Sequence, residues 1–246
     1  MSGWVVVAGL GPGDDRLVTP EVTAILAEAT DIVGYIPYVA RIAPRPGLKL
    51  HASDNRVELT RARHALDMAA AGQRVVVVSS GDPGVFAMAS ALFEALKPEE
   101  TPDIRILPGI TAMLAAAARI GAPLGHDFCA INLSDNLKPW ALVERRLRLA
   151  AQADFAMAFY NPCSKSRPEG FVRALQALKD ECEPERLICF ARNVSRPDET
   201  LNVVTLAAAR PEMADMRTVV IVGNRLTRQV GRHVYTPRSY GLPAHG

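Results

Sequence analysis

The chain has 246 residues, 49% of them hydrophobic and 22% charged, with a formal net charge of +2. That length buries a substantial core in one large or two small domains; the composition is that of an ordinary soluble globular protein, and so small a charge gives no ground for nucleic-acid binding. The longest apolar runs, "VVVV" at 75–78 and "TVVIVG" at 218–223, are strand-sized, far below the ~20 residues of a membrane span. The start "MSGWVVVAGLGPG" lacks a basic n-region, so it is not read as an export signal and a cytoplasmic enzyme is expected.

A first strand is predicted at 4–9, leaving through "GLGPGDD" at 9–15. Thr19 is a candidate N-cap with Pro20 at the first helical position. Val22, Ile25, Leu26 and Ala29 recur at helical spacing and should face a sheet. "DIVGY" at 31–35 reads as a short strand. "SDNRVELTRARHALDMAAAG" predicts a helix capped by Ser53 or Asp54, with an apolar stripe through Leu59, Ala62, Leu66 and Ala69 and Gly72 as terminator. The strand "RVVVVSS" then enters the loop "GDPG" and the helix "VFAMASALFEAL", and the strand "DIRIL" leads through "PGI" into "TAMLAAAARIG", a helix that stops near Gly121.

This alternation predicts an α/β fold with mostly parallel pairing in its first half. The Pro/Gly-bearing "APLGHDF" at 122–128 breaks the pattern and marks a boundary between an N-terminal α/β domain, 1–122, and a C-terminal one, 123–246. The second series is strand "CAINLS", helix about 138–152, strand "FAMAFY", helix about 169–180, strand "LICFARN", a polar turn, strand "TLNVVT", a short helix and the final strand "TVVIVG". No repeat of fixed period is visible.

Cys129, Cys163, Cys182 and Cys189 are too scattered for a metal spacing and read as small hydrophobes, so no metal is expected. Arginines outnumber lysines 23 to 5. Base composition explains that excess, although guanidinium forks also suit a ligand with several carboxylates.

"GLGPGDD" fails as a dinucleotide fingerprint because Asp14 stands where the third glycine is needed and the helix starts as late as Pro20. No Gly-Lys-Ser/Thr follows to make a P-loop. Pro12 fixes φ and donates no backbone hydrogen bond, while Gly11 and Gly13 allow close approach, so the loop reads as a stiff, flat wall. Asp14 and Asp15 would repel phosphate; the expected ligand is neutral or cationic where it touches. The loops "SSGDPG" at 79–84 and "PGITA" at 108–112 also follow strands. Each alone reads equally as a structural turn. Together they share the carboxyl edge of one parallel sheet, where open α/β sheets bind ligands.

The ordered set "VAGLGPGD", "SSGDPGVFAM", "LPGITAMLAAAARIGAPLGHDF", "FYNP" and "GN" resembles the tetrapyrrole methylases, S-adenosylmethionine-dependent enzymes of corrinoid and sirohaem synthesis. "HASDN", "LSDNLKPW" and "YNPCSKSRP" resemble the branch that methylates precorrin-3B at carbon 17 in cobalamin synthesis. The resemblance implies two α/β domains with the cofactor in a cleft between them, a homodimer, and a tetrapyrrole substrate. It implies that Gly11, Pro12, Ser80, Gly81, Asp82, Val85, Thr111 and Ala112 line the S-adenosyl-L-methionine pocket, with Tyr160, Asn161 and Asn202 contributed by the second domain. Asn161 and Pro162 depart from the methionine-glycine common in the family. Methylation at carbon 17 accompanies ring contraction, which needs a base for a hydroxyl proton. His51, in a polar loop expected to border the cleft, is the candidate base, against a capping or surface role. Asp135 and Asn136 are candidate substrate contacts or helix caps, and Arg41, Arg45, Arg56, Arg192 and Arg196 candidate forks for substrate carboxylates. Three alternatives stay open: a cobalt-factor III methyltransferase, a nicotinamide dehydrogenase and a non-catalytic corrinoid carrier.

Overall fold

A computed structural model of the chain describes residues 3–54, 57–164 and 168–240. Its first unit, Met1–Ala112, contains β1 (Trp4–Gly9), α1 (Pro20–Glu28), β2 (Asp31–Tyr35), α2 (Ile36–Val39), β3 (Lys49–Ser53), α3 (Glu58–Ala70), β4 (Arg74–Ser79), α4 (Met88–Glu94) and β5 (Asp103–Leu107). The strands lie in the order β3-β2-β4-β1-β5, every neighbouring pair parallel. Successive side chains of a strand point to opposite faces. Val5, Val7, Val75 and Val77 therefore pack with Ala62 and Leu66 of α3 and Leu92 of α4, while Val6, Ala8, Val76 and Val78 pack with Val22 and Ile25 of α1. A sheet covered on both faces needs apolar residues at consecutive positions, which accounts for the unbroken valine runs.

Thr19 caps α1 as expected, its hydroxyl accepting from the Val22 N–H at 3.2 Å ahead of Pro20. The cap expected for α3 is absent. His51, Ala52 and Ser53 are not part of a polar loop: they belong to the edge strand β3, none of whose residues is fully buried, so it carries no apolar alternation to read. The helix starts behind Val57 without a side-chain cap, and Ser53 instead accepts from Arg61 Nε at 2.9 Å. Leu59, placed in the apolar stripe, is exposed. The helix expected from Val85 begins only at Met88, because Phe86 takes left-handed backbone (φ 53°).

The second unit, Met113–Gly246, holds most of α5 (Ala112–Ile120), then β6 (Gly121–Ala122), β7 (Phe128–Asn132), α6 (Trp140–Gln152), β8 (Ala156–Tyr160), α7 (Glu169–Glu181), β9 (Leu187–Arg192), β10 (Thr200–Thr205), β11 (Thr218–Val222), β12 (Arg228–Val230) and β13 (His233–Tyr235). The two units divide at the start of α5, whereas the boundary expected at 122/123 lies beyond its end. Five strands run in the order β10-β9-β11-β8-β7, with only β7 and β8 paired in parallel. Val143 and Leu147 of α6 and Phe171 and Leu178 of α7 bury one face against Phe159, Ile188, Phe190 and Val220. β11 is not the final strand: β12 and β13 pair, and β13 joins β6 in a small sheet. Strands of three residues with one buried side chain between them show no periodicity to read. The short helix expected after β10 is one 3₁₀ turn, Pro211–Met213.

Candidate functional site

Because β4, β1 and β5 are neighbours, the three glycine loops leave the carboxyl edge of the first sheet side by side. They are joined by backbone hydrogen bonds. Leu10 N–H donates to the Ser79 carbonyl at 2.8 Å, and Gly11 and Gly81 exchange N–H to carbonyl bonds of 3.2 and 2.9 Å. Both of those glycines take left-handed φ, 66° and 63°, a region L-residues with a Cβ enter only with strain. At Gly9 a Cβ would lie 2.6 Å from the Gly81 carbonyl oxygen and 2.7 Å from the Gly109 nitrogen, so three main chains touch where the loops begin. Asp82 completes the assembly: one carboxylate oxygen accepts from the Gly84 N–H at 2.8 Å and the other from the Gly109 N–H at 3.1 Å.

The N–H groups of Gly11, Gly81, Gly84 and Gly109 are thus all directed to acceptors within the loops. An anion nest needs such N–H groups turned toward a ligand, and these four are turned inward. Asp14 and Asp15, expected to repel phosphate, do not face a ligand as free charges. Asp14 receives the Arg16 backbone N–H at 2.9 Å and its guanidinium at 2.6 Å, and Asp15 pairs with Arg41 at 3.0 Å. Both carboxylates are paired with arginines, Asp14 within its own segment and Asp15 from beyond α2.

Gly11, Pro12, Gly81 and Thr111 are buried, and Ser80, Asp82, Val85 and Ala112 half-buried. Gly81 stands against the turn into α5, where an added Cβ would meet the Thr111 Cα at 3.6 Å and the Ala112 nitrogen at 3.8 Å. In the second unit the ends of β7 and β8 carry Asn132, Tyr160 and Asn161. The Tyr160 hydroxyl accepts from the Met113 N–H at 3.0 Å, and the Asn161 amide donates to the Asn132 side-chain oxygen at 3.1 Å. β8 and β9 run in the same direction, both antiparallel to β11, so Asn193 and Ser195, just past β9, lie at the same edge. Asn161, Asn193 and Ser195 all have left-handed φ, 51°, 50° and 64°, a concentration of backbone strain typical of functional edges. Asn132 and Ser195 belong to no motif singled out in the sequence; each stands at or just past a strand end. Asn202 lies on the edge strand β10, exposed, in register with Phe190. Asp135 and Asn136 are exposed and do not cap α6, whose N-cap is Pro139.

His51, expected in a loop bordering the cleft, lies within a strand instead. It pairs with Val33, level with Val77 and Val7 and short of the loops. Its Nε2 lies 2.8 Å from the buried Asp31 carboxylate at the amino-terminal start of β2, and its other ring nitrogen 3.4 Å from His64 on α3. The imidazole therefore points away from the glycine-loop edge. Among the candidate arginines, Arg45 donates to the Leu26, Ala27 and Ala29 carbonyls that end α1, and Arg192 pairs with Asp215 at 2.9 Å. Arg196 is exposed, and Arg56 lies outside the described residues. Arg41 is bound to the first loop and is not a substrate fork.

Burial raises all four thiols, with Asp215 adding to the effect at Cys163, and it pushes Cys189 up to about 12. None is a thiolate near neutrality. Among the described residues no group of three metal-ligating side chains is placed to hold an ion, and no helix is long and apolar enough to cross a membrane. A cavity of about 700 Å³ is lined by Gly3, Arg63, Leu66, Gly72, Glu100 and Pro102. It lies at the amino ends of β1, β4 and β5, opposite the loops, and carries no chemistry like theirs.

The fold of two α/β units recurs in solved methyltransferases. "Crystal structure of the methyltransferase CobJ" matches with a TM-score of 0.94 at 74% identity, over 96% of this chain and 100% of that one. A uroporphyrin-III C-methyl transferase from Thermus thermophilus, complexed with S-adenyl homocysteine, shares the fold at a TM-score of 0.68 and 24% identity, over 90% of this chain and 92% of that one. The family model of the tetrapyrrole (corrin/porphyrin) methylases matches residues 5–210, and the chain belongs to that family. It is 51% identical to the precorrin-3B C(17)-methyltransferase of Sinorhizobium sp over 98% of both chains. The protein is a methyltransferase of the cobalamin-biosynthetic kind.

Proposed function

We propose that this chain transfers a methyl group from S-adenosyl-L-methionine to carbon 17 of precorrin-3B, with contraction of the macrocycle to precorrin-4. The observation that carries the cofactor is the inward use of the loop N–H groups of Gly11, Gly81 and Gly109. Glycine N–H groups turned inward suit a ligand with no phosphate, and the Thermus neighbour is complexed with S-adenyl homocysteine, the product that S-adenosyl-L-methionine leaves after methyl transfer. The substrate follows from the relation to the Sinorhizobium enzyme.

When bound, the cofactor supplies an electrophilic methyl group on sulfonium. The chain supplies alignment, worth roughly 7–11 kcal/mol when reactants are well oriented. Gly11 and Pro12 present a face without N–H donors, Ser80 offers a hydroxyl, and Gly81, Asp82 and Val85 continue the same wall. Thr111 and Ala112 contribute at the start of α5, and Tyr160, Asn161 and Asn202 are the proposed contacts in the second unit. Asp135 and Asn136, exposed after β7, are assigned to the tetrapyrrole. The same reading makes the protein a cytoplasmic homodimer, to be tested by sedimentation.

The deciding experiment incubates the purified protein with methyl-labelled cofactor and either precorrin-3B or cobalt-factor III, and measures product mass. Label in a contracted product from the metal-free substrate is expected. Turnover of the cobalt substrate alone would move the reaction to the cobalt route. Binding of either tetrapyrrole without label would make the chain a carrier.

A further inference from the structure

We infer that Arg41 is the positioning residue of the first glycine loop, holding residues 10–15 in the course that presents Pro12 to the cofactor. The inference rests on the proposed cofactor reading of that loop. Arg41 lies just past α2, and its side chain is only 17% exposed. One of its terminal nitrogens donates to the Leu10 carbonyl at 2.8 Å and to the Asp15 carboxylate at 3.0 Å; the other reaches the Gly11 carbonyl at 3.4 Å. One planar fork thus spans the loop from its first residue to its far end, a geometry a lysine point charge does not reproduce.

The consequence lies in the peptide planes. Between Leu10 and Gly11 the carbonyl is held by Arg41 while the N–H is held by the Gly81 carbonyl, so the plane is pinned from both sides. Between Gly11 and Pro12 there is no N–H, and the carbonyl alone is held, by the Gly81 N–H and Arg41. Glycine is the residue most free to rotate. Without the guanidinium, the Leu10 carbonyl would lose this donor and face a cavity of about 320 Å³ that Val18, Leu26, Ile42 and Leu48 help to line. Gly11 would then be held by its pair with Gly81 alone, and the stretch that carries Pro12 would lose the guanidinium that ties Leu10 to Asp15.

Charge offers a competing account, and the two separate cleanly. Removing a cation near a sulfonium would by itself favour S-adenosylmethionine over the uncharged S-adenosylhomocysteine, whereas loss of positioning weakens both alike. The test is calorimetric titration of the full chain with both ligands, for wild type, Arg41→Gln and Arg41→Lys, with melting temperatures recorded. Wild type should bind both. Arg41→Gln should bind both about tenfold or more weakly, the scale of losing hydrogen bonds from a charged donor, with their ratio unchanged. Arg41→Lys should fall between. Wild-type affinity in Arg41→Gln, or a change only in the ratio, would overturn the inference. If Arg41→Gln does not fold, wild-type affinity in Arg41→Lys overturns it equally. Failure of the wild type to bind either ligand would remove the cofactor reading first, and this inference with it.

Discussion

Substituting Gly109 by alanine tests whether the three loops act as one body. The added Cβ would press into the Gly81 carbonyl oxygen and lie 2.8 Å from the Gly9 oxygen and 2.9 Å from the Gly9 carbonyl carbon, where ordinary contact begins near 3.4 Å. All three atoms are main chain, so no rotamer change relieves them. Either loop must retreat by at least about half an ångström, which in a close-packed interior strains its neighbours. Overpacking of this kind costs about 1–3 kcal/mol, and disrupting the reciprocal Gly11–Gly81 pair adds about 1 kcal/mol per hydrogen bond. A loss of about 3–5 kcal/mol follows, or a fall in melting temperature of roughly 6–20 °C at about 2–4 °C per kcal/mol. Circular-dichroism melts measure the first effect and titration with S-adenosylhomocysteine the second. Gly47→Ala is the control, since its left-handed φ of 80° lies in open space; it should cost about 1–2 kcal/mol and leave ligand affinity alone. If Gly109→Ala melts and binds like wild type, the loops are not packed as described.

Asp31→Ala leaves His51 without its carboxylate but touches no glycine loop; it should destabilise by about 1–2 kcal/mol, below the 3–5 of a fully buried pair, with methyl transfer retained, as denaturant melts and turnover would show. Loss of turnover in a folded, stable variant would return His51 to the chemistry. The Arg186 guanidinium beside Glu183 holds its carboxyl below the ordinary carboxylate range. Because the folded-state value is the lower one, this stabilisation is complete above about pH 4.3 and fades as pH falls through that lowered value. Melting temperatures of wild type and Glu183→Gln should therefore converge on acidification, and a constant gap would contradict the pairing. Cys189, buried and held protonated, should resist iodoacetamide at neutral pH in the folded protein, as peptide mass mapping would reveal.

Strand and helix positions in the core were open to sequence reading because burial writes directly into composition: the Val75–Val78 run marks a strand covered on both faces, and Thr19-Pro20 a helix start. β3, β12 and β13 were not, since strands that bury almost nothing impose no pattern on their residues. The glycine loops were visible as loops and their shared edge followed from parallel order. Which glycine meets which loop was not, because Gly9, Gly81 and Gly109 are far apart in the chain and a missing Cβ carries no label of what it makes room for. The same limit governed the charged groups. Sequence alone named Arg41, Asp14, Asp15 and His51 as chemically able residues, and the family motifs named the reaction. Only the tertiary structure turned the aspartates onto arginines, His51 onto Asp31 and Arg41 onto the loop carbonyls, since a charged side chain's role depends on the partner that folding brings within about 3 Å.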